Sequence, residues 1–470
     1  MITNYSIENF KVFLTEANLK FAPITLIYGP NSSGKSSIIQ SLKVLRESLI
    51  KNNQSNSLKT NNSFFELGSY VSVVNNHDSN KKIKYQIEFS NISYLFEYAF
   101  KSNGQQNISY LDNISVKDRE NLIKDFKFTR KDRVNSEVNV FKINYNFDLL
   151  QHYEEKNKYI RDLVKHLSKN ELYEKMDFHK KYQYSLDQFA VRKGFVLPNY
   201  STSNQMSLLE SDNIKERVEG IYVQHYMDAL TSDIQKLDKN LYNQLFKISY
   251  IGPLRPHPKR VYQLDNVVTN SVGQNGENFL SFLARDDKYI KEVNRIFEEF
   301  GIKYDIEIFR TNNEVIGDTV SIYLVDRHTG LKTTLVDVGF GIGQVLPIIL
   351  EGLVKNRGTI CIEQPEIHLH PKLQANLANF FAKDIKSKYP NQWIIETHSE
   401  ALLLRFQRLI KHKELEPNDI SIIYVNPTET GAEVIPIPLD EDGDFTITWP
   451  NGFFEERLDE MFGGNPFGDE

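Results

Sequence analysis

The sequence predicts an α/β fold: a mixed, mainly parallel sheet with crossover helices, an antiparallel β region and an inserted helical subdomain. Three observations carry this reading. A short apolar run, Ile24-Thr25-Leu26-Ile27-Tyr28, leads through a Gly-rich turn into an amphipathic pattern with Ile38, Ile39, Leu42, Leu45 and Leu49 on one face. Between residues 64 and 150, alternating runs such as Ile83-Lys84-Tyr85-Gln86-Ile87-Glu88-Phe89 are separated by Asn, Asp and Ser turns, as in an antiparallel sheet. Between residues 336 and 425, helix-period and strand-period stretches alternate, as parallel strands with crossovers do.

The chain has 470 residues, which points to two or three domains. The expected division is residues 1–150, 151–249, 250–440 and a tail at 441–470. At 40 % hydrophobic and 25 % charged residues the chain has ample material for a core. A net charge of −6 argues against a surface coated for nucleic acid. A single cysteine, Cys361, rules out an internal disulfide framework and fits a reducing, cytoplasmic setting. Met1 to Glu8 lacks a charged region followed by an apolar one, so no signal peptide is expected. No apolar run approaches the ~18 residues a bilayer span needs, so no membrane partner is expected.

Tyr5 to Phe13 alternates and reads as a half-buried strand. Residues 51–63 are polar and read as a loop. From about 150 to 247 the texture is helical. Ile160, Leu163, Val164 and Leu167 fall at helical spacing, and a longer stripe runs from Ile214 through Val218, Ile221, Tyr222, Tyr226, Leu230, Ile234, Leu237 and Leu241 to Leu245. The stripe suits core packing or a dimerisation surface. It lacks the sustained heptads of a long coiled coil. Tyr250 to Arg255 is a turn-rich junction, Gly273 to Asn278 opens a helix containing Phe279, Phe282 and Leu283, and Ser321 to Val325 is a strand. The basic, aromatic run Lys124 to Lys131 suits a solvated strand face better than a nucleic-acid contact.

The Gly-rich turn is Gly29-Pro30-Asn31-Ser32-Ser33-Gly34-Lys35-Ser36-Ser37, which fits the P-loop pattern G-x-x-x-x-G-K-[ST]. Small residues let the backbone wrap a phosphate, and N–H groups at the helix N-terminus point at its oxygens. Lys35 is expected on the β- and γ-phosphates and the Ser36 hydroxyl on Mg²⁺.

The complementary half lies far downstream. Thr359-Ile360-Cys361-Ile362-Glu363 is an apolar run ending in a carboxylate, as a buried parallel strand supplying an acid to Mg²⁺ would be. Pro371 suits the first turn of the helix that follows. A second strand, Gln392 to Thr397, ends in His398-Ser399, and a polar residue there points at the ligand crevice of a doubly wound sheet. His398 is therefore a candidate for the γ-phosphate or the attacking water, with a capping or core role as the rival. Gly339-Phe340-Gly341-Ile342-Gly343-Gln344 precedes an apolar helix and forms a second anion-site candidate. His368 and His370 read as a packed turn, since no third metal ligand lies near. Arg255 is open between a nucleotide or partner contact and a structural ion pair.

This order of motifs resembles the ABC-type ATPases of the RecF/SMC/OLD group. The runs Ile362 to Pro371 and Gly339 to Gln344 resemble the single-chain bacterial AAA-family branch, and Thr448 to Glu456 is similar to a C-terminal segment of unknown function there. The resemblance covers residues 1–50 and 330–460 well; between them it rests on Tyr250–Arg255 and Gly273–Asn278. It implies an ABC-type head that binds ATP and Mg²⁺. It also implies a self-associated dimer, in which Lys35 and Ser36 of one head bind ATP and Gly341, Gly343 and Gln344 of the other cap its γ-phosphate. Similar chains serve as the ATPase half of anti-phage systems such as Septu and PARIS, holding or gating a nuclease subunit; others act in DNA repair.

Two positions depart from the wider pattern. Gly341 stands where the signature has Ser, and Gln364 stands where the catalytic Glu usually follows the Mg²⁺-binding acid. An amide orients water but is no general base at neutral pH. Glu366 is the candidate substitute, and slow turnover is expected. The stretch after Asn426 shows no acidic β/α pattern of a Toprim nuclease, so any cutting is expected from a partner effector. Two alternatives remain: a DNA-binding repair ATPase, and an ATP-bound scaffold that scarcely hydrolyses.

Overall fold

The Gly-rich turn sits at the end of a strand buried at all five positions, Ile24–Tyr28, in the middle of a sheet whose other strands come from the second half of the chain. This computed structural model describes residues 1–50, 57–62, 65–102, 107–119, 125–130, 141–145, 162, 214–264, 269–313, 317–339 and 341–450. Two compact units are present. One comprises Met1, Ala17–Gln40 and Lys247–Glu470; the other comprises Ile2–Glu16 and Ser41–Phe246. Several expected features lie outside the described residues: the polar loop at 51–56, the helical positions Ile160, Leu163, Val164 and Leu167, Phe340, and the tail from Asn451 onward.

The first unit is built on six strands in the order Gly431–Pro436, Ile420–Thr428, Ile24–Tyr28, Gln392–Glu396, Thr359–Glu363 and Ile248–Ile251. All neighbours are parallel except the outermost pair. Gln392–Glu396 and Thr359–Glu363 are buried along their whole length, as parallel strands covered on both faces must be. The register sets Glu396 beside Ile27 on one neighbour and Glu363 on the other, so two strand-end carboxylates lie side by side.

Local chemistry explains the crossover helices. Pro371–Ile385 opens with Pro at its first turn and His370 as cap, whose Nδ1 accepts the Lys372 N–H at 3.2 Å. Glu400–Lys411 is capped by Ser399, whose Oγ accepts the Leu402 N–H at 3.0 Å. The helix expected from Val345 begins earlier, at Gly341, and runs to Val354. Against it, Phe380 and Phe381 pack on the Trp393 ring, with centroids 5.8 and 4.6 Å away. A Cβ on Gly352 of this helix would stand 2.7 Å from Phe380 Cζ, so only glycine lets the helix approach this closely.

Beside this sheet the same unit holds a smaller antiparallel one, in which Gly317–Asp326 pairs with Tyr262–Gln263, Tyr304–Asn313 and Lys332–Thr334. Helix Asp287–Glu299 contributes Val293, Ile296 and Phe297 to the same core. Near the C-terminal end, Trp449 sits among the rings of Tyr28, Tyr424 and Phe445 at 5.6, 5.9 and 5.3 Å.

In the second unit, Ile2–Glu8, Ile83–Phe89, Ile92–Ser102, Asn107–Asp118, Asp125–Arg130 and Phe141–Tyr145 follow one another antiparallel. The first strand stops at Glu8, short of the expected Phe13, because Asn9 and Lys11 take φ of 58° and 48° and reverse the chain. Phe126 and Phe128 point into the core while Lys127 is exposed, the solvated strand face expected of that run. Helix Ile214–Phe246 buries Ile234, Leu237, Leu241 and Leu245, and the Leu237 carbonyl accepts the Tyr94 hydroxyl at 3.1 Å. That half of the stripe is core.

Candidate nucleotide site

All the residues below lie in the first unit. The Ile24–Tyr28 strand delivers the chain to Gly29, which takes φ +148°, and a Cβ there would stand 2.5 Å from the Val425 carbonyl oxygen. The turn passes through Pro30 and exposed Asn31 to Ser32 at φ 63° and Gly34 at φ 106°, and the helix begins at Lys35. Lys35 is buried, and its Nζ donates to the carbonyls of Gly29 at 3.0 Å and Pro30 at 2.8 Å. Burial lowers its pKa, and the carboxylates of Glu396 and Glu366 pull the other way. Ser33 Oγ is buried with no hydrogen-bond partner among the described residues, and Ser37 is also buried. A loop that brings Gly34, Lys35 and a spare hydroxyl to a helix N-terminus is chemically suited to a phosphate.

Three carboxylates come together beside this loop. Glu363 ends its strand buried, and the Tyr250 phenol is hydrogen-bonded to it, so burial first and Glu363 second raise the Tyr250 pKa. Glu396 ends the intervening strand and accepts the Ser36 hydroxyl at 2.8 Å through Oε1. Its pKa is raised by burial, against the opposing pull of Ser36 and Lys35. Glu366 has both oxygens engaged: Oε2 accepts the Thr397 hydroxyl and Oε1 the His398 backbone N–H, each at 2.7 Å. Burial raises its pKa, too. Ser36 and Glu363 are the pair expected at Mg²⁺, and in the structure the Ser36 hydroxyl donates to the neighbouring Glu396.

Gln364 takes φ 46°, and its N–H donates to the Glu396 carbonyl at 2.7 Å, which ties the two strand ends together. His398 is half-buried, and burial followed by Lys35 lowers its pKa below the ordinary 6.5, so the imidazole is neutral at pH 7. The Tyr28 hydroxyl donates to the Ser399 carbonyl at 3.0 Å and joins the loop strand to this turn.

The glycine-rich turn packs against neighbouring segments. Gly341 stands against the His368–Leu369 turn, 3.4 Å from the His368 carbonyl oxygen measured from an added Cβ, and Gly343 faces Pro258 at 3.1 Å. Gln344 is buried, and its Oε1 accepts Arg255 Nη1 at 3.4 Å. Arg255 also donates to the Glu363 carbonyl at 3.4 Å, and burial lowers its pKa to about 10. Arg255 therefore connects the Glu363 strand to the Gly341–Val354 helix. Sequence reasoning left Arg255 open and missed Glu396, whose signal was a strand ending in Ile394-Ile395-Glu396 in the same manner as Ile360-Cys361-Ile362-Glu363.

Among the described residues no group of three or more His, Cys, Asp or Glu side chains is placed to hold a metal. The fit for Mg²⁺ is a hydroxyl with adjacent strand-end carboxylates, a hard oxygen set of the kind that ion takes together with water and phosphate. Glu396 Oε2 is buried and has no hydrogen-bond partner among the described residues, which suits a cation at that point.

Residues 1–403 match the AAA ATPase domain family. The chain belongs to that family. The match spans the Gly29–Ser37 loop, the Glu363 strand and the His398 turn of this AAA ATPase. Residues 415–462 match a second family, described as a protein of unknown function (DUF3696). Among solved structures, the AAA ATPase is similar to the SMC head domain from Thermotoga maritima at 10 % identity and a TM-score of 0.37, over 93 % of this chain and 99 % of that one. It is also similar to an Smc head domain bound to the C-terminal domain of ScpA, derived from Pyrococcus furiosus, at 11 % identity and a TM-score of 0.38, over 93 % and 96 %. Likeness at this level adds nothing to the family match. No described helix of the AAA ATPase is long and apolar enough to cross a membrane.

Proposed function

We propose that this AAA ATPase binds ATP with Mg²⁺ in the Gly29–Ser37 loop and hydrolyses it slowly, as a molecular switch. The observation that carries the reading is the convergence of Lys35 and Ser36 with buried carboxylates at the C-terminal ends of adjacent parallel strands. The loop amides of Gly29 to Ser37 would bind the phosphates, and Lys35 would leave its loop carbonyls for the β- and γ-oxygens. Ser36 with Glu363 would hold Mg²⁺, whose charge would offset that of the phosphate oxygens.

Slow turnover follows from what the chain offers the attacking water. Gln364 has no basic atom, and its backbone is pinned to the Glu396 carbonyl. Glu366 is held in the turn by its bonds to Thr397 and His398, and these bonds weaken it as a base. Neutral His398 is left as the group that orients water or senses the γ-phosphate.

On the resemblance to ABC-type heads, two copies would join through ATP, with Gly341, Gly343 and Gln344 facing the partner's nucleotide. The switch would control an effector, a nuclease in anti-phage defence. Lys35→Ala is expected to lower turnover about 10²-fold or more and to weaken nucleotide binding, measured on protein free of contaminating ATPase. Unchanged turnover would overturn the assignment of the site. Mass spectrometry of what co-purifies with the tagged protein tests the partner: a stoichiometric nuclease is expected, and DNA fragments without one would favour a repair ATPase.

A further inference from the structure

We propose that Glu396 is a metal-side residue of the nucleotide site, sharing Mg²⁺ with Ser36. The proposal rests on the ATP reading above and deepens it. In the sheet order, Gln392–Glu396 lies between the loop strand and the Glu363 strand, so Glu396 is the strand-end acid adjacent to the phosphate loop. Its Oε1 already holds the Ser36 hydroxyl at 2.8 Å, the group a P-loop gives to the metal. Its Oε2 is buried with no hydrogen-bond partner among the described residues, on a residue only 3 % exposed.

Lys35 attracts Glu396, but its hydrogen bonds go to the loop backbone. Lys35 Nζ donates to the Gly29 and Pro30 carbonyls. Glu366 is engaged elsewhere, with Thr397 and His398, while Glu363 meets the Tyr250 phenol and stands beside Glu396 as the second strand-end acid. A buried carboxylate oxygen without a partner is costly unless a cation meets it, and Mg²⁺ takes hard oxygen donors of this kind. Two adjacent strand-end acids then face one ion, where a P-loop ATPase needs only one. The competing role is a clamp that merely fixes the Ser36 rotamer.

Glu396→Gln separates the two roles. The amide oxygen still accepts from Ser36 and the volume is kept, while the charge goes. The measurement uses the full-length protein, a fluorescent ATP analogue, and Mn²⁺ read by electron paramagnetic resonance, with a parallel nucleotide titration in EDTA. In Glu396→Gln, Mn²⁺ affinity of the nucleotide-loaded protein is expected to fall about tenfold or more, with nucleotide affinity in EDTA within about twofold of wild type. Wild-type Mn²⁺ affinity in Glu396→Gln, with the loss confined to Glu363→Gln, would make Glu396 a clamp and overturn the proposal alone. Wild-type protein that binds no nucleotide would overturn the ATP reading as well. If Glu396→Gln does not fold, Glu396→Asp serves: it keeps the charge but shortens the reach to Ser36. It is expected to weaken Mn²⁺ binding without abolishing it, and wild-type affinity there would count against the proposal.

Discussion

At the scale of single residues, Glu366 separates two mechanisms. As a general base it would need a lone pair aimed at the attacking water; as an organiser of the Thr397-His398 turn it needs two acceptors, and the structure gives it both bonds. Glutamine can accept from the His398 N–H through its oxygen and donate to the Thr397 hydroxyl through its nitrogen, whereas alanine can do neither. Glu366→Ala is therefore expected to lower turnover about tenfold or more, and Glu366→Gln to keep most of it. Equal losses in the two variants, measured by steady-state phosphate release, would restore Glu366 as the base.

At the scale of elements, the Gly341–Val354 helix carries the glycine-rich turn at one end and is held against the sheet along its length. Its tightest contact is Gly352, where an added Cβ meets Phe380 Cζ at 2.7 Å and Trp393 Cζ2 at 3.0 Å. Trp393 cannot withdraw freely, because its Nε1 donates to Asp384 Oδ2 at 2.8 Å. Gly352→Val is expected to destabilise the protein by about 1–3 kcal/mol through overpacking, read as a lower denaturant midpoint. Nucleotide affinity of the folded fraction should not change, because the contact lies away from Gly341 and Gln344. The same helix joins the Glu363 strand through Arg255 and Gln344.

At the scale of the whole molecule, the first unit is assembled from remote pieces of chain. The loop strand lies between Gln392–Glu396 and Ile420–Thr428, so its sheet closes only when residues near the far end have joined it. The segment matching the family of unknown function supplies Trp449, which closes against Tyr28, the last residue of the loop strand. Trp449→Ala is expected to cost about 3–5 kcal/mol and to lower the melting temperature. Because Tyr28 also holds the Ser399 carbonyl, the variant should weaken nucleotide binding as well as stability. Loss of neither would show that the aromatic cluster is dispensable.

What the sequence determined by itself was whatever depends on neighbours in the chain. The loop from Gly29 to Ser37, the capped start of Pro371–Ile385, the apolar strand Thr359–Glu363 and the hairpins from Ile83 onward are local patterns, and each lies where its periodicity or turn chemistry put it. The family followed from the same motifs. What only the tertiary structure decided was which acid meets which hydroxyl. Glu363 and Glu396 end their strands alike in sequence, and strand order alone places Glu396 beside Ser36 and leaves Glu363 to Tyr250. Strand order is set by pairing between segments far apart in the chain, which no local period encodes. For the same reason Arg255 could not be assigned from sequence: its partners, Gln344 and the Glu363 carbonyl, become neighbours only once the sheet and the Gly341–Val354 helix have packed.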